Sequence, residues 1–247
     1  MLDPLKQFKI QQLVQLSIGK LDISYTNSAL WMTIGLAVVY IFFYLSLRKE
    51  AVIPGRLQSC AELSFVFLSD MVKTYIGHEG LPFFPFIFTL FWFVLMGNLL
   101  GLIPYSFTYT SHIAVTFSLA IVAFIAANVA GFKKHGWGLF KLFLPKGIPL
   151  FLAPLMIIIE LISYLARPLS LSIRLFANMM AGHLILKLFA SFCVMLTAYS
   201  LNVAVLGVLP LMLNVGVTAL EFLVAILQTY VFTLLTCLYI NDAINLH

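Results

Sequence analysis

The sequence predicts an all-α integral membrane protein, and three observations carry that prediction. Of its 247 residues, 62% are hydrophobic and only 9% charged, against about 45–50% apolar and about 25% charged in soluble domains. Fourteen Lys and Arg with nine Asp and Glu cannot clothe a water-facing surface, so most of the exterior faces lipid. The apolar residues also come in long unbroken runs, which suits helices that satisfy their own backbone groups and not a barrel, whose strands alternate in polarity between turns. Finally, the basic residues behind the net charge of +5 are dispersed or gathered in loops between those runs. The positive-inside rule accounts for them, and no nucleic-acid site is read.

The first span is Ala29 to Leu47, closed by Arg48, Lys49 and Glu50; its length matches the roughly 20 residues a hydrocarbon core requires. Residues 1–27 hold no clean apolar stretch followed by a small-residue cleavage site, so no cleavable targeting segment is expected. Over residues 51–80, Gln58, Glu62, Ser69, Asp70 and Lys73 recur at helical spacing among Leu57, Leu63, Phe65, Phe67, Leu68 and Val72. This pattern predicts an amphipathic helix in the interface. Phe83 to Ile103 and His112 to Phe132 form a transmembrane hairpin around the uncharged turn PYSFTYTS, residues 104–111. Within it Gly97 and Gly101 spell GxxxG, a spacing that lets backbones approach closely.

Lys133, Lys134, Lys141 and Lys146 follow the hairpin. The positive-inside rule puts their loop, residues 133–146, on the inner side with Arg48, Lys49 and Arg56, which leaves the N-terminus outside and the C-terminus inside. The last hundred residues carry two runs longer than a perpendicular span can use. Leu150 to Tyr199 would measure about 75 Å as one helix, against a core about 30 Å thick. Either it breaks near Pro168 into two crossings or it lies steeply tilted with Pro168 as a kink. Leu201 to Tyr239 shows the same excess.

Charges inside these runs need a reason, since each costs about 2.5–3.5 kcal/mol at mid-membrane even on the lenient insertion scale. Glu160, Arg167 and Arg174 are seven residues apart and form one stripe, joined one turn on by Asn178. Asn214, Glu221 and Gln228 make a second stripe with the same repeat. Facing one another, the stripes line a hydrated path; alternatively they bond each other across a hairpin, with Glu160 pairing Arg167 in its own helix. Arg174 fits the second reading poorly, because an Arg cannot be neutralised and no acidic residue lies within a turn of it. His183 stands nine residues after Arg174, about 180° round an ideal helix, and reads equally as a bonded packing residue or a proton carrier. Lys187 can snorkel to an interface. His112 lies beside the bare loop. Cys60, Cys193 and Cys237 are far apart, odd in number and in no CxxC spacing, so neither a disulfide framework nor a metal site is indicated.

The segment SLSIRLFANMMAGHLI, residues 170–185, resembles the signature of subunit a of the F-type ATP synthases. GNLLGLIPYSFTYTSH, ELISYLARPLSLSIRLFANMMAGH and LEFLVAILQTYVFTLLTCLYIND resemble that family's other blocks, so the likeness covers roughly residues 80–242. It implies that Arg174 is the essential arginine, Asn178 the polar residue one turn on, Glu160 the acidic residue two heptads before, and Asn214, Glu221 and Gln228 the polar face of the last helix. Ser170, which opens the signature, and His112 complete the set. Bacterial members usually carry Glu and His where this chain has His183 and Glu221; the exchange, as in mitochondrial members, implies the mitochondrial inner membrane, with a bacterial plasma membrane as the alternative.

The resemblance further implies one membrane domain over residues 1–247. Its parts are an N-terminal span with the interfacial helix (1–80), the hairpin (83–132) and two strongly tilted helices bearing a proton path (150–242). The implied partners are a ring of small hairpin subunits, each with one membrane carboxylate, and peripheral-stalk and other membrane-sector subunits in a lipid bilayer. No cofactor is implied, and without a GxxxxGK[ST] loop the nucleotide chemistry belongs elsewhere, so the chain is not an enzyme on its own. The competing reading, a self-contained proton-coupled transporter or channel, predicts paired repeats, and no matching halves are visible.

Overall fold

The computed structural model describes residues 9–15, 17–18, 21–22, 24–48, 53–103, 106–138, 153–199 and 207–245. It is nearly all helical. Among the described residues, five helical segments are long and apolar enough to cross a membrane: Asn27–Leu47, His78–Gly101, Ile113–Gly138, Pro154–Thr197 and Val208–Ile244.

Ahead of the first helix, the described residues form four short strands that the sequence pattern did not signal. β1 (Gln12–Val14) pairs antiparallel with β4 (Tyr25–Thr26), and β2 (Ser17–Ile18) with β3 (Leu21–Asp22). Strands of two or three residues are too short for an alternation to register. Asn27 closes the ladder: its backbone N–H reaches Gln11 O at 3.0 Å, its Oδ1 accepts from Gln11 N at 3.2 Å, and its Nδ2 donates to Lys9 O at 3.3 Å. The same Oδ1 accepts from Ser28 N at 3.0 Å and so serves a free donor at the start of α1 (Asn27–Leu47). At 21 residues, α1 is about 31 Å long and spans the core once.

The amphipathic helix stands as expected, as α2 (Arg56–Tyr75), burying Ala61, Leu68, Met71 and Val72 while Glu62, Asp70 and Lys73 stay exposed. A 3₁₀ turn, His78–Phe83, leads into α3 (Phe84–Gly101), and α4 (Ile113–His135) completes the hairpin. The 47-residue run Ala153–Tyr199 is one helix, α5, unbroken at Pro168, so the two-crossing alternative is set aside. Its apolar length, about 70 Å, fits a core about 30 Å thick only when inclined. The 37-residue α6 (Val208–Ile244) has the same property at about 55 Å.

The chain divides into two compact units. The first comprises Met1–Val39, Phe93–His112 and Leu175–Thr229, and its core includes Val94, Phe107, Tyr109, Leu175, Met179 and Ala225. Here the GxxxG pair receives the chain that follows α3. A Cβ on Gly97 would come within 2.6 Å of the Tyr109 ring, and one on Gly101 within 2.5 Å of Thr108 Cγ2. Tyr109, 1% exposed, donates its hydroxyl to Phe93 O at 2.9 Å. Gly97→Ala is therefore expected to destabilise this unit by about 1–3 kcal/mol, the usual cost of overpacking. Thermal melting of the detergent-solubilised protein checks this, and an unchanged midpoint would show that the ring can move aside.

The second unit comprises Tyr40–Trp92, Ile113–Arg174 and Tyr230–His247. The inward face of α4 is a run of small residues, Thr116, Ala120, Ala123, Ala127, Ala130 and Gly131, at the three- and four-residue spacing of a helix stripe. Side chains this small let neighbouring backbones close in, and Thr116 Oγ1 lies 3.2 Å from Ser172 Oγ. Two polar anchors sit further along. Tyr164 donates to Asn128 Oδ1 at 2.5 Å, and Lys134 pairs with Glu79.

Candidate functional site

In the first unit the membrane-depth groups of α5 and α6 meet. Along α5, Leu175, Met179 and His183 recur at four-residue steps and are buried together. The 3.6-residue turn thus delivers His183 to the packed face. On α6, Glu221, Ala225, Gln228 and Thr229 occupy the buried face in the same way. His183 Nδ1 lies 3.7 Å from Glu221 Oε1, and Glu221 is only 2% exposed. Its carboxylate fits against Gly182, where a Cβ would stand 2.6 Å from Oε1. Neither carboxyl oxygen has a hydrogen-bond partner among the described residues. A carboxyl buried without a donor is costly unless it takes up a proton or water reaches it.

The two polar stripes do bond one another further along the helices. Asn178 Nδ2 donates to Gln228 Oε1 at 2.8 Å, which leaves the buried Gln228 Nε2 as a donor without a partner among the described residues. Asn214 likewise has a buried Oδ1 without a partner, while its backbone oxygen accepts from Thr218 Oγ1 at 2.8 Å. The structure adds two residues that sequence reasoning did not single out. Asn98, fully buried on α3, donates to Ala225 O and Thr229 Oγ1, each at 3.2 Å, and its Oδ1 has no partner among the described residues. Thr108 Oγ1 lies 3.0 Å from His183 Nε2. Their signals were present but weak: Asn98 is a lone amide in an apolar run, and Thr108 sits in a stretch read only as a turn. His112 stacks its ring on Phe107 with centroids 5.0 Å apart.

In the second unit, Arg174 is exposed and so is Ser170, while Glu160 is half-buried. The expected Glu160–Arg167 pair does not form. Arg167 Nη1 instead bonds Asp242 Oδ2 at 2.9 Å, with its guanidinium between the rings of Tyr164 and Tyr239, 5.5 and 5.6 Å from their centroids. The reason is geometric. An Arg fork flanked by two aromatic faces and a carboxylate satisfies charge and ring quadrupole together, which a partner seven residues back on one helix face does not offer. Asp242 lies near the C-terminal end of α6.

Comparisons with known proteins place these residues in context. The profile described as ATP synthase A chain matches residues 29–241. A protein named ATP synthase subunit a from Rhodospirillum rubrum is 51% identical over 244 residues, covering 99% of each chain. Namesakes from Parvibaculum lavamentivorans and Mesorhizobium japonicum are 50% and 51% identical, covering 98% of this chain and 94% and 96% of their own. These relatives are bacterial. The multi-pass setting is accordingly a bacterial plasma membrane, and the mitochondrial inner membrane expected from the exchanged His and Glu gives way to that alternative.

Proposed function

The chain belongs to the ATP synthase A chain family, and from that premise we propose that it carries protons through the membrane sector of an ATP synthase and turns their flow into rotation of a neighbouring ring. The observation that supports this most is the buried pair His183 and Glu221, two titratable groups at membrane depth 3.7 Å apart, on a chain whose Arg174 is exposed. Ionisable groups at that depth mark ion paths far more often than packing.

In this reading Glu221, His183, Asn214, Asn178 and Gln228 belong to an aqueous half-channel from the outer side, and Glu160 and Ser170 to one toward the inner side. A proton arriving by the first neutralises a carboxylate on a ring subunit, which then faces lipid without the cost of a charge. After nearly a full turn it leaves by the second. Arg174 stands between them: its permanent charge favours the ionised ring carboxylate and repels a proton that would pass straight across. Each proton then yields about 2.3 kcal/mol per 100 mV only through rotation. The chain contributes no nucleotide chemistry, and its partners are the carboxylate-bearing ring, the peripheral stalk and the other membrane-sector subunits.

Purification through a tag on this chain tests the proposal against a self-contained channel. The expected result is co-purification with an oligomeric ring of small carboxylate-bearing hairpins, and proton conduction by reconstituted membrane sector but not by the chain alone. A chain that purifies without a ring and conducts by itself overturns it.

A further inference from the structure

Pro168 stands inside α5 and weakens it there. A proline has no N–H to give, and its ring crowds the carbonyl four residues back, that of Tyr164; yet the helix runs on unbroken and Pro168 is buried. The residues that frame this turn are bound to neighbouring helices. Tyr164 donates its hydroxyl to Asn128 Oδ1 on α4 at 2.5 Å, while Asn128 Nδ2 donates to Phe124 O at 2.8 Å, so the amide presents its oxygen to the phenol. Beyond the proline, Ser172 Oγ meets Thr116 Oγ1 of the same helix α4 at 3.2 Å. Arg167 makes the contact to α6, with Nη1 2.9 Å from Asp242 Oδ2 and the guanidinium against the rings of Tyr164 and Tyr239. Asp242 is a fixed anchor, because two residues further on Ile244 O accepts from His135 Nε2 of α4 at 2.5 Å.

We propose that Arg167 and Asp242 are positioning residues whose contact stops α5 from rolling at its proline turn and so sets the placement of Arg174. This rests on the proton-carrying reading above. Two ties to α4, at Tyr164 and Ser172, fix a line about which α5 is still free to roll. Arg167 lies about 60° and about 140° round the helix from those two residues, off that line, and a third tie off the line removes the roll. Arg174 follows Arg167 by seven residues, within about 20° of the same direction and about 10 Å along the axis, so a roll at one is a roll at the other. In an uninterrupted helix the backbone ladder resists such twisting alone; with a rung missing, side chains share the task. The pair keeps 25% and 39% of its side-chain surface exposed, so its Coulomb energy is screened. What it supplies is direction: the planar fork meets the carboxylate along a fixed line, and two ring faces hold the fork in place.

The test uses the assembled complex in lipid, with Cys60, Cys193 and Cys237 replaced and spin labels attached through Val129→Cys on α4 and Ile173→Cys on α5, both exposed positions. Pulsed electron resonance reads the spread of the label distance, and proton-driven synthesis is measured at equal subunit content. Asp242→Asn keeps the shape and removes the charge. It is expected to broaden the spread and to slow synthesis about three- to tenfold, as loss of one partly screened charge-assisted bond lowers the population of the placed arrangement. Adding Pro168→Ala returns the missing helix bond, and is expected to restore the narrow spread and to bring synthesis within about twofold of the parent. A parental spread in Asp242→Asn overturns the proposal. So does a loss of synthesis that Pro168→Ala leaves uncorrected, since Asp242 would then act through its own charge on the proton path. If Asp242→Asn does not assemble, Arg167→Lys, which keeps the charge and loses the fork, takes its place with the same expectations and the same overturning results. A parent complex that conducts no protons would count against the proton-carrying reading alone, and the spread measurement still decides whether the brace exists.

Discussion

Arg174→Ala is expected to let protons leak across the membrane sector while abolishing coupled synthesis. A unit charge about 4 Å from a passing proton, at an effective dielectric near 20, opposes it by about 4 kcal/mol, which is on the order of a thousandfold in rate. Removing the guanidinium removes that barrier and also the partner that favours an ionised ring carboxylate. Arg174→Lys keeps a positive charge but not the planar fork, and a desolvated Lys can release its proton where Arg cannot. It should therefore lose nearly all coupled synthesis while leaking less than the Ala variant. Proton permeability and ATP synthesis in vesicles holding equal amounts of assembled complex decide the matter. Were Arg174 only a packing residue, assembly would fall and the recovered complex would not leak. An Arg174→Ala complex that assembles and still makes ATP sinks the mechanism.

Glu221→Gln is expected to slow proton-driven synthesis on the order of a hundredfold, within the range that a positioned proton-transfer group contributes, while leaving assembly intact. The amide has the shape of the carboxyl and occupies the same space against Gly182, but it neither takes up nor releases a proton. The loss should appear equally in ATP-driven proton pumping, since both directions use the same path. Normal pumping by Glu221→Gln in a complex with parental subunit content would remove Glu221 from the route.

The span boundaries were legible because they depend on hydropathy alone: Ala29–Leu47 was expected and Asn27–Leu47 is found, and α2 follows its spaced charges. The heptad stripes were legible too, since Asn178 and Gln228 do meet. Three things were not. The β1–β4 pairing involves strands too short to carry a period. Whether Pro168 breaks α5 could not be read, because a proline in a long apolar run reads as a kink or a stop until the packing around it is known. Arg167 was assigned to Glu160 because periodicity sees only one helix at a time, whereas Asp242 lies 75 residues away in the chain. Thr108 was hidden for the opposite reason: a hydroxyl in a turn ordinarily faces water, and here the whole stretch Ser106–Ser111 is buried.

The length of α5 also changes what depth means along it. In an upright helix each residue descends about 1.5 Å. When about 70 Å of helix shares a core about 30 Å thick, each residue descends only about 0.6 Å. Glu160 and Arg174, fourteen positions apart, are then about 21 Å apart along the axis but only about 9 Å apart across the bilayer. Polar groups seven apart become rungs laid almost sideways, and the voltage falls only slightly from one to the next. Adding or removing one residue in α5 would turn every later side chain by about 100° while hardly altering its level in the membrane. A seven-residue change would keep the facing and move the chain laterally. Evolution can thus tune where along a neighbour's surface each group acts, almost independently of how much of the membrane field it feels.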